Sequence, residues 1–261
     1  VASPNGASKS GETGLWPPSG EPVSTEQIRA NVRRNAQRGL PEPGRARGTV
    51  NICAGGSSLD PKKIKGRKQI CAVNQAHDHL IEHGVIPHWC VLVDPVPGVA
   101  DLITPHPGVE YFVASQCDPA VFDKLAGYTV RLFHIGNSAP IDDLVSSSLR
   151  VDGGTGAIHR ALSLHWLRGC TVFHLWGFDC SGQHAYAHRV NPGPEGVPVE
   201  LFGQTYVTTP GLLRQARSFF RQLRNMNAIR PPVVHVHGDG LVAALMRTHG
   251  RRTVLDCGRS G

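Results

Sequence analysis

The chain has 261 residues and 28.1 kDa, of which 40% are hydrophobic and 18% charged, with 30 glycines and 20 prolines. That composition fits one large, loop-rich globular domain; no run approaches the ~20 apolar residues of a membrane helix, and the opening VASPNGASKSGETG holds no apolar signal-peptide core. A net charge of +7 and a pI near 9.2 favour an anionic partner, which a phosphate-bearing small molecule satisfies as well as nucleic acid does.

Residues 1–22 are rich in Gly, Ser and Pro and read as a disordered or extended tail. Ser24, with Gln27 three residues on, has the capping-box pattern and opens a basic helix to about Arg38, stopped by Gly39 and Pro41. This helix and its linker, 23–48, form an N-terminal extension. Its expected packing is through Ile28 and Val32, with Arg29, Arg33 and Arg34 solvated. From 49 to about 250, short apolar runs alternate with helical segments. Strands are expected at 50–54, 70–73, 89–93, 110–115, 129–134, 171–176 and 232–237, and helices at 75–84, 154–168 and 209–225. Residues 180–207 read as irregular and 251–261 as a C-terminal tail. Short strands that are apolar throughout and separated by helices belong to a parallel sheet covered on both faces. The fold class is therefore α/β: a single, doubly wound, Rossmann-like domain with a mostly parallel sheet.

In such sheets ligands sit beyond the carboxyl ends of the strands. The strand ends here are Gly55-Gly56-Ser57-Ser58, Asn74-Gln75, Asp94, Asn137, Gly177-Phe178-Asp179 and Gly238-Asp239-Gly240. Gly55 to Ser58 could present amides and hydroxyls to an anion, or could form a tight turn. On the phosphate reading, Gly55, Gly56 and Ser58 face phosphate, and Gly56→Val abolishes nucleotide binding while leaving the fold intact. Asp152-Gly153-Gly154-Thr155-Gly156 opens a helix whose unpaired amides would favour phosphate; the alternative is close helix–sheet packing. Asp179 could hold a metal or a ribose hydroxyl. His184 and His188, just beyond it, are acid/base candidates.

Other chemistries are disfavoured. The seven scattered cysteines have no C-x-x-C spacing, so neither a zinc knuckle nor a disulfide framework is expected, and buried free thiols are. The nucleophile elbow G-x-S-x-G of serine hydrolases is missing. His77, His79, His83, His235 and His237 read as packing or surface residues.

The order Ala-Gly-Gly-Ser-Ser-Leu, Asn74-Gln75-Ala76, then Ile86-Pro87-His88-Trp89 leading to Asp94-Pro95 resembles the MptE-like domain family, whose archaeal namesake is a 6-hydroxymethylpterin diphosphokinase. The family's usual G-x-G-P-S-L has Ser57 in place of its proline here. Gly153-Gly154-Thr155, Gly177-Phe178-Asp179, His184-Ala185 and 202-FGQTYVTTPGL-212 extend the resemblance over about residues 24–245. The same outline looks like a group of bacterial sialyltransferases, and a related branch includes flagellin-modifying enzymes. In the sialyltransferases these elements hold a cytidine nucleotide and a downstream histidine is the base. Here the stretch before the corresponding helix reads Thr208-Thr209, leaving His184 and His188 as the imidazoles.

The resemblance implies a nucleotide site of Gly55, Gly56, Ser57, Ser58, Asn74, Gln75, Asp94, Gly153, Gly154, Thr155, Gly177 and Thr208. Asn74 would face base or sugar. The first reading is a diphosphokinase-like transferase passing pyrophosphate from ATP to a hydroxyl of a pterin- or nucleoside-like acceptor. Asp94, Asp152 and Asp179 are then the carboxylates for Mg²⁺, which wants oxygen ligands beside phosphate. The second is a nucleotide-sugar glycosyltransferase acting on protein, glycan or modified DNA, with His184 or His188 as base. The third is a protein that binds or sequesters a nucleotide. The expected partner is a nucleotide or nucleotide sugar; nucleic acid is not favoured, no membrane is involved, a homo-oligomer is compatible with the composition, and the expected location is cytoplasmic.

Overall fold

The computed structural model describes residues 23–136, 144–145, 149–182 and 196–256. The chain enters through helix α1 (Thr25–Ala36) and strand β1 (Gly48–Cys53), followed by α2 (Pro61–Ile64), β2 (Ile70–Val73), α3 (Ala76–Glu82) and β3 (Trp89–Leu92). A 3-10 turn (Pro97–Leu102) leads to β4 (Glu110–Ala114), α4 (Pro119–Lys124), β5 (Thr129–Ile135) and β6 (Arg150–Val151). Helix α5 (Ala157–Arg168) and β7 (Cys170–Trp176) come next, then the strands β8 (Val197–Leu201) and β9 (Gln204–Thr208). Helix α6 (Pro210–Ile229), β10 (Val233–Val236) and α7 (Leu241–Asp256) complete the order.

Eight strands form one sheet in the order β10-β7-β1-β2-β3-β4-β5-β6, and every ladder in it is parallel. The chain starts in the middle, winds outward from β1 to β6, and crosses back along α5 to place β7 on the other side of β1. The α/β, doubly wound arrangement is thus observed. Side chains alternate between the two faces, as the pleat requires. Val50, Ile52, Phe173 and Leu175 join the large core with Leu162 and Leu164 of α5 and Phe219 of α6. Cys53, Ile70, Ala72 and Trp176 point the other way, into a smaller core with Ile64 and Leu80. Fully burying each of the Val, Ile, Leu and Phe side chains contributes roughly 1.5–3 kcal/mol, which is why these runs are so apolar.

Ser24 caps α1, its side chain accepting from the Gln27 amide at 3.1 Å. Val32 is buried, with Ile28 packed beside it. Two buried asparagines add what the sequence did not show. The Asn31 amide donates to Gln116 O (3.0 Å), and that of Asn35 to Ser115 O (2.9 Å) and Cys117 O (2.8 Å). They satisfy carbonyls just past the end of β4 and dock the N-terminal helix on the carboxyl edge of the sheet.

Several boundaries differ from expectation. Residues 197–208 are an antiparallel hairpin rather than irregular chain. Its turn, Phe202-Gly203, has φ of 55° and 71°, the doubly left-handed pattern usually marked by Asn-Gly; phenylalanine in that position hid it. Helix α5 begins at Ala157, because Gly153 to Gly156 form the approach loop, while α6 runs on to Ile229 and α7 continues past 250 to Asp256. The described cysteines, Cys53, Cys71, Cys90, Cys117, Cys170 and Cys180, are all buried and free, and burial raises each thiol pKa. Reactive thiolates are therefore disfavoured among them. No described helix is long and apolar enough to cross a membrane.

Candidate functional site

The connection after β1 departs toward β2, and the connection after β7 departs toward β10. Their carboxyl ends are neighbours whose loops leave in opposite directions, which defines the switch point where α/β sheets open a crevice. The two loops are locked together. Gly56 N–H donates to Gly177 O at 2.8 Å and Ala54 N–H to Trp176 O at 2.8 Å. The Asp179 carboxylate accepts the Ser58 amide at 2.9 Å, the Ser58 hydroxyl, and the Ser57 hydroxyl at 3.4 Å. Burial raises the Asp179 pKa above the usual carboxylate value, opposed by the Ser58 hydrogen bonds and reinforced by Asp239.

This geometry divides the Gly55–Ser58 loop in two. Gly56 and Ser58 turn inward and hold the β7 loop. The amides of Gly55 and Ser57 have no bonded acceptor among the described residues, so they are the donors left for an anion. A Cβ on Gly56 would stand 2.6 Å from Asp179 Oδ2 and closer still to Gly177 O. Gly56→Val therefore has to displace the loop after β7, contrary to the expectation above that it leaves the fold intact. Gly177 (φ 63°) is equally constrained, since a Cβ there would run into Ala54 O.

Beside this junction lies a cleft of about 210 Å³, lined by Ser57, Asp179, Ser181, Tyr206, Asp239 and Gly240 among others. The hairpin forms one wall. Thr208 is buried, and its hydroxyl donates to Cys180 O at 2.7 Å, so it anchors the hairpin to the β7 loop. Gly182 N–H donates to Val207 O at 2.9 Å, and Leu241 N–H, at the start of α7, to Ser181 Oγ at 2.9 Å.

Asn74 stands at the end of β2 with φ 49°, a conformation that costs a non-glycine residue energy and is concentrated at functional positions. Its side-chain nitrogen donates to Asp94 Oδ2 at 2.8 Å, while its buried Oδ1 has no partner among the described residues. Burial pushes the Asp94 pKa up, partly offset by that hydrogen bond. Gln75 caps α3 without a side-chain bond.

The three carboxylates expected to share a metal do not come together. Asp179 and Asp94 follow β7 and β3, three strand steps apart, or roughly 14 Å at the usual strand spacing. Asp152 follows β6, a further three steps away, and is exposed. The carboxylate beside Asp179 is instead Asp239, which the sequence placed among the strand-end positions but not among the metal carboxylates. Two carboxylates in one cleft fit Mg²⁺, which takes one or two carboxylates together with phosphate oxygens and water.

The second glycine loop serves packing. A Cβ on Gly153 would stand 2.6 Å from Ser163 Oγ and 2.7 Å from Gln222 Nε2, and one on Gly154 would run into the His159 ring. His159 Nδ1 accepts from Gly156 N–H at 3.1 Å and its Nε2 donates to Gln215 O at 3.0 Å. Burial drives its pKa down to about 4, so the ring is neutral. Thr155 is exposed at the loop's tip. His184, His188 and Asn137 lie outside the described residues.

Two of the histidines read as packing or surface residues, His77 and His237, pack against other side chains. His77 is buried against Asp78 and Tyr111. His237 stacks on Trp176 at 3.6 Å between centroids and pairs with His174 at 2.7 Å.

The chain is thus a single-domain α/β fold whose crevice lies at the switch point of its sheet, where such folds take their ligands. Among solved structures, the chain is similar to a MAf glycosyltransferase from Magnetospirillum magneticum AMB-1, with a TM-score of 0.59 and 15% identity. The likeness covers 83% of this chain and 38% of that one, so this chain corresponds to well under half of its neighbour. At that identity the shared property is the fold. No protein-family model and no curated protein matches the chain.

Proposed function

We propose that the protein is a nucleotide-sugar-dependent glycosyltransferase whose donor occupies the strand-end crevice around β1, β2 and β7. This reverses the order suggested by the motifs, which put a diphosphokinase first. The observation that carries it is the junction of the 54–59 and 177–182 loops, with the free Gly55 and Ser57 amides beside a cleft on a fold like that of a known glycosyltransferase. Donor phosphate would meet those amides, and the unpartnered Asn74 Oδ1 would accept a hydrogen bond from sugar or base. If a Mg²⁺ ion accompanies the donor, Asp239 and Asp179 are the carboxylates placed to hold it, and it would supply charge neutralisation. His184 and His188 follow Gly182 by two and six residues and are the proposed bases for the acceptor hydroxyl.

The test is a thermal-shift screen of UDP-, GDP-, CMP- and dTDP-linked sugars against ATP, with and without Mg²⁺, followed by product analysis. A nucleotide sugar should raise the melting temperature with concentration and be turned over to free nucleotide. Stabilisation by ATP alone, with AMP formed in the presence of a pterin alcohol, would restore the diphosphokinase.

A further inference from the structure

A larger cavity, about 860 Å³, opens between α5 and α6 in the helical layer. Its lining contains two polar side chains that the chain leaves incomplete. Ser218 and Gln222 are each only 5% exposed, yet among the described residues neither Ser218 Oγ nor Gln222 Oε1 has a hydrogen-bond partner. Gln222 cannot flip to cure this. Its nitrogen already donates to His159 O at 2.8 Å and to Ser163 Oγ at 2.7 Å, so the oxygen is fixed as an acceptor awaiting a donor. Buried polar atoms are nearly always paired, and two orphans along one cavity need an explanation.

The rim supplies charge. Arg160 and Arg221 both line the cavity. Arg160 donates to Val151 O at 3.2 Å and lies in the field of Asp152, while Arg221 is exposed. The N-terminal end of α5, a 12-residue helix, opens on the same space through Gly153-Gly154-Thr155, adding its positive dipole end. Trp166 and Met226 provide an apolar wall. A fixed acceptor asks for a ligand O–H; the guanidinium groups and helix end ask for an anion.

We propose that the α5–α6 cavity is a second ligand site, for a small hydroxyl-bearing anion of the sugar-acid or sugar-phosphate class. A ligand hydroxyl donates to Gln222 Oε1 and another pairs with Ser218 Oγ, while the carboxylate or phosphate meets Arg160 and Arg221. The inference does not depend on what the strand-end crevice binds.

The test uses the full chain, calorimetry and melting temperature, and four probes: glucuronate, glucose 6-phosphate, glucose and inorganic phosphate. At least one of the first two should bind and raise the melting temperature, with glucose and phosphate weaker by about tenfold or more. Ser218→Ala removes a hydroxyl that bonds to nothing in the free protein. Its unliganded melting temperature should therefore hold or rise, while affinity for the sugar anion falls about tenfold. Arg221→Gln should weaken the sugar anion without changing the weak binding of glucose. A clear drop in the melting temperature of free Ser218→Ala would show that the hydroxyl holds a structural partner such as a fixed water, and would overturn the proposal. So would the absence of binding by both sugar anions at millimolar concentration, or equal binding by wild type and Ser218→Ala.

Discussion

Ser58 gives both its amide and its hydroxyl to the carboxylate of Asp179, a residue 121 positions away in sequence. That pairing fastens the loop after β1 to the loop after β7 across the point where the sheet's connections diverge. A sequence motif that looks like a phosphate cradle is thus half internal clamp, and only the alternate amides remain for a ligand.

The clamp has a pH signature. Burial is the largest influence on Asp179 and raises its pKa despite the Ser58 bonds. A carboxyl raised on folding favours the fold at pH below its unfolded value, and this contribution is lost as pH climbs through the folded value. Wild type should accordingly lose stability relative to Asp179→Asn as pH rises from about 4 toward neutrality. Urea midpoints of the two proteins across that range should diverge upward. Parallel curves would mean that the carboxylate is not desolvated.

Gly56 is expected to be intolerant for steric reasons. Gly56→Ala drives a methyl group into Gly177 O and Asp179, so an overpacking cost of about 1–3 kcal/mol is expected. Gly98→Ala is the control, since nothing lies within 4 Å of its Cβ, and it should be neutral or slightly stabilising. Denaturant midpoints of the pair should separate; similar values would contradict the tight loop junction.

His159 should contribute to acid sensitivity. Its pKa falls from 6.5 to about 4 because burial disfavours the imidazolium. A group depressed on folding stabilises fully above its unfolded pKa and loses that contribution as pH falls through the folded one. The window is pH 6.5 down to about 4, with about 3 kcal/mol at stake from a shift of that size. His159→Gln should flatten the decline in stability over that window, measured by urea unfolding at several pH values.

Much of the fold was legible because strand identity rests on local composition. Apolar runs such as Val50 to Ala54 and Ile70 to Val73 can only be buried strands between helices, and their ends named the crevice in advance. The hairpin was hidden by Pro198 in β8 and Phe202 in its turn, both poor local signals overridden by tertiary contacts such as Thr208 to Cys180. The site was legible as a set of loops but not as a set of roles. Which amide of Gly55 to Ser58 turns inward depends on Asp179, and whether carboxylates share a site depends on strand order. For that reason Asp94, Asp152 and Asp179 scatter along the edge, whereas Asp239 joins Asp179.

Asp239 is exposed, so Asp239→Asn should change stability by no more than about 0.5 kcal/mol. If it helps hold a divalent ion with the donor phosphates, Mg²⁺-dependent affinity for a nucleotide sugar should drop by about tenfold. Calorimetric titration with and without EDTA reads this directly, and an unchanged affinity would remove Asp239 from the site.

A nucleotide-sugar donor is expected where the loops after β1 and β7 meet. Amide hydrogen exchange with and without a saturating nucleotide sugar tests it most directly. Protection should appear at 54–59, 177–182 and 238–240, with the free amides of Gly55 and Ser57 slowed the most. Protection confined to other segments, with these three unchanged under saturation, would contradict the account.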